Sequence, residues 1–254
     1  VTKRSVYVPS VEALESILRE LLELVKTPRY GPVLMDLPVN IQMSTTQSIP
    51  SQIHEEIQKQ KHTYDISSYI KESKRPLVMF GHGVKLCGAE REALAFVEKY
   101  EIPFIVSWGA FDMCETDHAL RFGSPGVYGD RYANYAIQNA DLLISIGSRL
   151  DSRQIGGNTQ TFSKYSKKIM VDVDREEIMK MSERGIHIDY EIQESPKTFL
   201  EHAIIDTPPV TRSWIETLQG WKTKYGTEHS RDGDSAVYDY LSTFFDTLPD
   251  ECIV

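Results

Sequence analysis

The sequence has little cysteine and no long apolar run. Its three cysteines, Cys87, Cys114 and Cys252, are widely separated within 254 residues and form no C-x-x-C pair. Neither a structural zinc site nor a disulfide framework is predicted from such spacing. The apolar runs are as long as single strands, far short of the roughly 20 residues that a membrane helix needs. We therefore expect a cytoplasmic protein without a membrane partner.

Basic side chains and the common catalytic motifs are also scarce. The 28 Lys and Arg residues stand against 37 Asp and Glu residues, which gives a formal charge of −9, and no Lys/Arg run is long enough to form a basic face. Such a surface repels a phosphate backbone, so nucleic acid is not an expected partner. No G-x-S-x-G, H-E-x-x-H or G-x-x-x-x-G-K-[ST] motif occurs. The residues alone identify no nucleophile or general base.

Strand and helix patterns alternate between residues 66 and 205. The predicted strands cover residues 76–80, 103–107, 142–147, 168–173 and 186–189, and the predicted helices cover 89–100, 131–139, 175–181 and 196–203. This alternation is typical of a parallel sheet whose crossover helices cover it. The fold class predicted is α/β, a doubly wound, Rossmann-like parallel sheet with helices on both faces.

The flanking segments have a different pattern. Residues 11–25 carry apolar side chains at helical spacing after Ser10, a plausible N-cap, and residues 32–38 predict a buried parallel strand. The polar residues 45–65 predict a linker. One helix is predicted around Trp214 and another around Tyr240, and the closing residues 252–254 resemble the start of a strand. Both ends are therefore expected to belong to a longer protein.

Two segments at strand ends are candidates for ligand binding. Gly81 and Gly83 follow a predicted strand and precede a helix, where glycine lets the backbone approach a phosphate, although a tight turn alone also requires glycine. His82 between them is either a ligand-facing donor or merely solvated. Residues 147–153 place Arg149 and Arg153 after another strand, where guanidinium groups suit phosphate. The alternative for these arginines is a surface ion-pair cluster with Asp151.

Two further segments add acidic and glycine-rich elements. Asp172 ends the next predicted strand, where a carboxylate accepts hydrogen bonds from ribose hydroxyls. Asp174 is expected to cap the helix that begins at Arg175. Residues 123–129 contain three glycines and form a loop that either wraps a ligand or simply turns sharply.

Taken in order, these segments resemble the thiamine diphosphate-dependent enzymes of the acetolactate synthase (acetohydroxyacid synthase) and pyruvate oxidase group. The resemblance rests on residues 2–5, 31–38, 75–83, 126–134 and 140–153. It implies four parts: residues 1–44 end a pyrimidine-binding domain, 45–65 are a linker, 66–205 are the central domain, and 206–254 are a linker and the start of a diphosphate-binding domain.

In that family, the full enzyme decarboxylates a 2-oxo acid on thiamine diphosphate and passes the resulting carbanion to an acceptor. The resemblance implies a homodimer or homotetramer that uses Mg²⁺. The glutamate that tunes the cofactor and the G-D-G motif that holds its diphosphate are expected outside this stretch of sequence. The chain alone is therefore not predicted to bind thiamine diphosphate or to catalyse a reaction, and no catalytic or metal-ligating residue is assigned.

The central domain of the acetolactate synthase branch holds FAD in a structural role, whereas other branches hold ADP or no nucleotide. The resemblance carries cofactor contacts to Gly81, Gly83, Ser107, Trp108, Gly126, Val127, Tyr128, Gly147, Arg149, Asp151, Arg153, Asp172 and Val173. The sequence departs from the FAD binders where His82 and Asp112 replace common glycines and where Gln193-Glu194 replaces Gly-Asp.

Two other functions remain to be weighed. A free-standing nucleotide-binding or regulatory module would have kept this domain without any catalysis. A nicotinamide-dependent dehydrogenase is disfavoured, because Gly88 comes too late for a G-x-G-x-x-G motif and no catalytic His or Lys constellation is evident.

Overall fold

Two parallel strands and a helix form the N-terminal unit. A computed structural model describes residues 2–27, 29–45, 62–226 and 236–249. The first elements are β1 (Arg4–Tyr7), α1 (Val11–Lys26), β2 (Val33–Asp36) and α2 (Val39–Gln42). Ser10 caps α1 as predicted, since its hydroxyl accepts the Ala13 N–H at 3.4 Å. The predicted burial of the second strand is wrong, because β2 pairs only with β1 among the described strands and leaves Leu34 54% exposed.

The central domain contains most of the remaining elements. They are β3 (Tyr64–Asp65), α3 (Ser67–Glu72), β4 (Pro76–Phe80), α4 (His82–Leu86), α5 (Glu90–Tyr100), β5 (Phe104–Val106), α6 (Arg131–Asn139), β6 (Leu142–Ile146), α7 (Ser152–Ile155), β7 (Lys167–Asp172), α8 (Arg175–Glu183), β8 (Tyr190–Gln193), α9 (Pro196–His202) and β9 (Ala203–Ile204). Five of the strands form one parallel sheet in the order β5-β4-β6-β7-β8. The predicted α/β fold is confirmed.

Both faces of the central sheet are buried. Successive side chains of a strand point to opposite faces, and Val78 and Phe80 of β4 accordingly join a core with α5 and α9. Leu77 and Met79 of the same strand join a second core with α6 and α8. This burial on both faces explains why the strands are continuous apolar runs and not alternating ones.

The strand order fixes where a ligand can bind. The chain runs from β4 to β5 on one side of the sheet, and then crosses β4 to place β6, β7 and β8 on the other side. The two crossovers leave β4 and β6 in opposite directions, so a crevice opens outside their carboxyl ends. In open α/β sheets this topological switch point is the usual place for a ligand.

Two predictions about the boundaries of elements fail. The strand predicted at residues 186–189 is wrong, because Ile186 and Ile188 pack into the core as a loop and pairing begins only at Tyr190, opposite Ile169. The end of the predicted linker is also structured, since Tyr64 and Asp65 form β3 and pair with β9. The rest of that linker, residues 46–61, lies outside the described residues.

The last described helices are α10 (Arg212–Tyr225) and α11 (Ala236–Asp246). Trp214 and Leu218 of α10 are buried in the second core, and the Trp214 indole N–H donates to the Pro76 carbonyl at 3.1 Å. Helix α10 therefore packs on the central sheet. The strand predicted at residues 252–254 lies outside the described residues. Within the described ranges, no helix has the length and apolarity to cross a bilayer.

Candidate functional site

A cleft of about 480 Å³ opens at the switch point, outside the carboxyl ends of β4 and β6. Turns from four sheet strands and one residue of the N-terminal unit form its wall. The lining residues are Arg29, His82, Gly83, Leu86, Ser107, Trp108, Gly109, Pro125, Gly147, Ser148, Arg149, Asp151, Arg153, Gln154, Asp172 and Val173. Nine of the predicted contacts are among them, while Gly81, Gly126, Val127 and Tyr128 are not.

The turn after β4 packs so closely against the turn after β6 that both turns require glycine. We call Gly81, Gly83 and Gly147 the glycine contact. The Gly83 N–H donates to the Gly147 carbonyl at 2.9 Å, and a Cβ on Gly81 would lie 2.2 Å from the same oxygen. Gly147 also has a φ of +63°, which disfavours other residues. Close packing of two turns therefore accounts for these glycines without any ligand.

The segment after β6 carries the positive charge of the cleft. We call residues 149–153 the arginine segment. Asp151 begins α7 as its N-cap, with its carboxylate accepting the Arg153 and Gln154 N–H groups, and Gln154 completes a capping box. Arg149 and Arg153 are exposed, and neither forms an ion pair within the part of the chain that the structure describes. The predicted alternative, an ion-pair cluster with Asp151, is therefore wrong.

Two aspartates stand at the end of β7. Asp172 is buried in the cleft wall and accepts the Asp174 N–H at 2.9 Å. Burial raises the pKa of Asp172, and the Asp174 and Glu177 carboxylates add to that rise. Asp174 caps α8 as predicted, with its Oδ1 accepting the Glu176 N–H at 3.0 Å. Asp172 is thus the carboxylate of this strand end that faces the cleft.

The glycine-rich loop turns sharply and does not line the cleft beyond Pro125. The Asn134 carboxamide accepts the Gly126 N–H and donates to the Gly126 carbonyl, each at 2.9 Å. The Val127 N–H donates to the Arg153 carbonyl at 2.9 Å. Tyr128 is 76% exposed, and its ring centre lies 6.0 Å from that of Trp108. The loop therefore fixes the position of α7, and its aromatic side chain stands at the rim of the cleft.

The residues that form the central sheet match a known family. A family model described as the thiamine pyrophosphate enzyme central domain matches residues 65–203. The chain belongs to this family. As a thiamine pyrophosphate enzyme central domain, it has a parallel sheet with helices on both sides, in agreement with the resemblance inferred from the sequence.

Curated relatives narrow the comparison within the thiamine pyrophosphate enzymes. The chain is 30% identical over 199 residues to the acetolactate synthase isozyme 1 large subunit of Escherichia coli, covering 76% of this chain and 35% of that protein. It is 31% identical over 236 residues to the acetolactate synthase large subunit of Corynebacterium glutamicum, covering 89% and 37%. With the E. coli isozyme 2 large subunit the identity is 24% over 264 residues, covering 100% and 46%. The chain thus spans less than half the length of these relatives.

The sequence interpretation of this thiamine pyrophosphate enzyme domain missed Arg29. This residue follows α1 in the N-terminal unit, yet it lines the cleft and its Nη1 binds the Asp174 carboxylate, 145 positions further along the chain. Glu177 lies 3.5 Å from the same nitrogen. Burial alone would raise the pKa of Asp174. The hydrogen bonds from Arg29 and from the Glu176 N–H outweigh burial, so the pKa of Asp174 lies below its usual value.

The family departure at Glu194 has a structural explanation. Its Oε2 accepts the Tyr64 hydroxyl at 2.7 Å, and its Oε1 accepts the Ser195 N–H at 2.7 Å. Burial and this hydrogen bond raise the pKa of Tyr64. Glu194 thus joins β3 to the start of α9 and does not line the cleft. A second departure, Asp112, pairs with Lys85 at 2.5 Å.

Proposed function

We propose that this chain is the central portion of an acetolactate synthase-like enzyme and that its switch-point cleft binds FAD or ADP. The observation that carries the proposal is the pair of exposed arginines, Arg149 and Arg153, that line the cleft and form no ion pair among the described residues. Unpaired guanidinium groups at the carboxyl edge of a parallel sheet suit a diphosphate, which they bind through planar, bidentate contacts.

The remaining wall of the cleft suits the other parts of an adenine nucleotide. Asp172 lines the cleft at the end of β7, and a carboxylate at such a strand end commonly accepts hydrogen bonds from ribose hydroxyls. Arg29 adds a third guanidinium, and both of its carboxylate contacts use Nη1, so its other donors remain for an anion in the cleft. Trp108, 47% exposed at the rim, offers a flat surface for a planar ring.

Thiamine diphosphate and Mg²⁺ belong to the parent enzyme in this proposal. Thiamine diphosphate supplies the electron sink for decarboxylating a 2-oxo acid and transferring the remainder to an acceptor. Within the described residues, no group of three or more His, Cys, Asp or Glu side chains is placed to hold a metal ion. The proposal therefore assigns no metal ligand to the cleft and gives this portion a structural and nucleotide-binding role.

The parent is proposed to be a cytoplasmic homodimer or homotetramer acting as a transferase or lyase. Two observations support this part of the proposal. The relatives are acetolactate synthase large subunits by name, which supports the class of enzyme, and Cys87 and Cys114 are free thiols, as expected in a reducing compartment. The molar mass of the full-length protein in solution tests the oligomeric state.

Nucleotide binding is tested by following the melting temperature of the chain with ADP, FAD or adenosine. A ligand that binds the folded state raises this temperature by mass action, by an amount that grows with concentration. We expect ADP and FAD to raise it and adenosine, which lacks phosphates, to do so much less. Arg153→Ala should abolish the ADP shift while leaving the ligand-free melting temperature nearly unchanged. Arg212→Ala, which removes an exposed arginine outside the cleft, is the matched control.

Two results would contradict the proposal. No shift with millimolar ADP or FAD would mean that the cleft is not a nucleotide site. A large drop in the ligand-free melting temperature of Arg153→Ala would mean that this arginine supports the fold instead of a ligand.

A further inference from the structure

His82 is an exposed side chain that the fold nevertheless holds in one orientation. It begins α4 directly after Gly81 and lines the cleft. Its Nδ1 lies 2.7 Å from the Gly109 carbonyl oxygen. A Cβ built on Gly109 would lie 2.8 Å from the Cβ of His82 and 3.2 Å from its Cγ. The ring therefore rests against the Gly109 backbone, in a space that only glycine leaves open.

This contact determines which nitrogen of His82 carries the proton. A carbonyl oxygen only accepts hydrogen bonds, so Nδ1 must be the donor. In a neutral imidazole the other nitrogen, Nε2, is then an acceptor. Among the described residues, nothing hydrogen-bonds to Nε2. Neutral His82 thus presents a fixed acceptor on the wall of the cleft.

The position of His82 indicates which part of a ligand it meets. The strand order places β5 and β7 on opposite sides of the β4–β6 pair. Asp172 stands at the β7 side, Arg149 and Arg153 follow β6, and His82 contacts Gly109 at the β5 side. A dinucleotide with its diphosphate on the arginines and its adenosine ribose at Asp172 places its second half towards His82.

We propose that the His82 Nε2 accepts a hydrogen bond from a ribityl hydroxyl of FAD, so that His82 is a binding residue that favours FAD over ADP. The inference rests on the proposed function and goes further by choosing between the two nucleotides. His82 stands where the FAD binders commonly have glycine, so the contact proposed here would be this chain's own and not one carried over from them. In this placement ADP lies between Asp172 and the arginines, and only the part of FAD beyond the diphosphate is directed towards His82. FAD carries a chain of hydroxyl donors beyond its diphosphate, which meets the acceptor on the β5 side.

Three variants distinguish the effect of losing the Nε2 acceptor on FAD binding from the effect of changing the size of the side chain. His82→Phe keeps a ring but has no nitrogen, His82→Asn keeps a polar group near the Nδ1 position, and His82→Gln places an amide near Nε2. Dissociation constants for FAD and ADP are measured by calorimetry on the 254-residue chain, with flavin fluorescence as a second readout. We expect His82→Phe and His82→Asn to weaken FAD binding about tenfold, the value of one lost hydrogen bond, and His82→Gln to restore most of it. ADP binding should stay within about twofold in all three, since a nucleotide that makes no contact with His82 loses nothing.

Gly109→Ala tests the fixed orientation independently, because its added methyl group displaces the ring. It should weaken FAD binding and leave ADP binding as it is. Gly157→Ala, at a position with nothing within 4 Å of the new methyl group, is the matched control.

The failure of this inference is distinguishable from failure of the proposed function. If the unmodified chain binds neither nucleotide, both are overturned. If it binds ADP but not FAD, the proposed function stands and the role of His82 is overturned. If His82→Phe weakens FAD and ADP equally, or weakens neither, the acceptor role is likewise overturned.

Discussion

The glycine contact and the arginine segment lie side by side at the same edge of the sheet, but packing explains only one of them. A side chain at Gly81 or Gly147 would collide with the backbone of the opposite turn. Arg149 and Arg153, in contrast, are exposed and form no ion pair among the described residues. Glycines after a strand are therefore weak evidence for a phosphate site here, whereas no ion pair or close packing among the described residues accounts for the two arginines.

The largest predicted effect follows from filling the glycine contact. Gly81→Ala places a Cβ 2.2 Å from the Gly147 carbonyl oxygen, and Gly147→Ala adds a positive φ to a collision with the Val84 nitrogen at 2.9 Å. We expect each to lower the free energy of unfolding by at least about 3 kcal/mol, because either Cβ overpacks the contact between the two turns and the Gly147 variant adds backbone strain. Urea denaturation of the two variants measures this change.

Gly157→Ala controls for the alanine substitution itself, since its Cβ would meet nothing within 4 Å. If Gly81→Ala unfolds at the same urea concentration as this control, the two turns are not in close contact. The glycines would then again count as evidence for a ligand.

The fold was predictable from the sequence where burial on both faces of the sheet left a clear apolar pattern, and not elsewhere. Strands β4 and β6 are almost entirely apolar because both faces of the sheet are buried, and that pattern was visible in the sequence. Ile186 and Ile188, which alternate with His187 and Asp189, also suggested a strand but fill the core from a loop. Composition alone does not distinguish core filling from strand pairing, since pairing depends on the neighbour that a residue meets.

The site was predictable where its residues follow a strand in the sequence. Arg149, Arg153 and Asp172 were found for that reason. Arg29 was missed because only the tertiary structure joins it to Asp174, 145 positions away. The cap formed by Asp151 was missed although a signal existed, since Asp followed three residues later by Gln, at Gln154, is typical of a capping box.

A pair of identical substitutions sharpens the contrast between structural and cleft-facing arginines. Arg121 is 2% exposed, and its guanidinium donates to the Cys114 carbonyl at 2.6 Å and to the Phe111 carbonyl at 2.8 Å. Arg121→Met should lower the free energy of unfolding by about 2 kcal/mol, because two carbonyl groups lose a charged donor. Arg149→Met should change it by less than about 0.5 kcal/mol, as for most exposed positions. Equal losses in urea denaturation would show that Arg149 also supports the fold.

Asp151 is the one acidic member of the arginine segment, and its role in the fold predicts a smaller effect. Asp151→Ala removes the N-cap of α7 and should cost about 1 kcal/mol of unfolding free energy. Asp151→Asn keeps a capping oxygen and should recover most of that loss. Thermal and urea denaturation compare the two variants. If asparagine fails to recover stability, the charge of Asp151 matters and the ion-pair interpretation of this segment regains support.

Asp172 gives the smallest expected effect, one that depends on pH. Burial raises its pKa above the ordinary aspartate value of 3.8, so the folded state holds the proton more tightly than the unfolded state does. Its contribution to stability is then greatest at low pH and is lost as pH rises from the ordinary value through the raised one. Asp172→Asn cannot ionise and still offers an oxygen to the Asp174 N–H, so its stability advantage over the unmodified chain should grow with pH and then level off.

Urea denaturation between pH 4 and 8 measures that advantage, with the exposed Asp117→Asn as the control for the substitution itself. An advantage that shrinks as pH rises would mean that Arg149, whose charge lowers the pKa of Asp172, outweighs burial and that the arginine segment contributes to the fold after all.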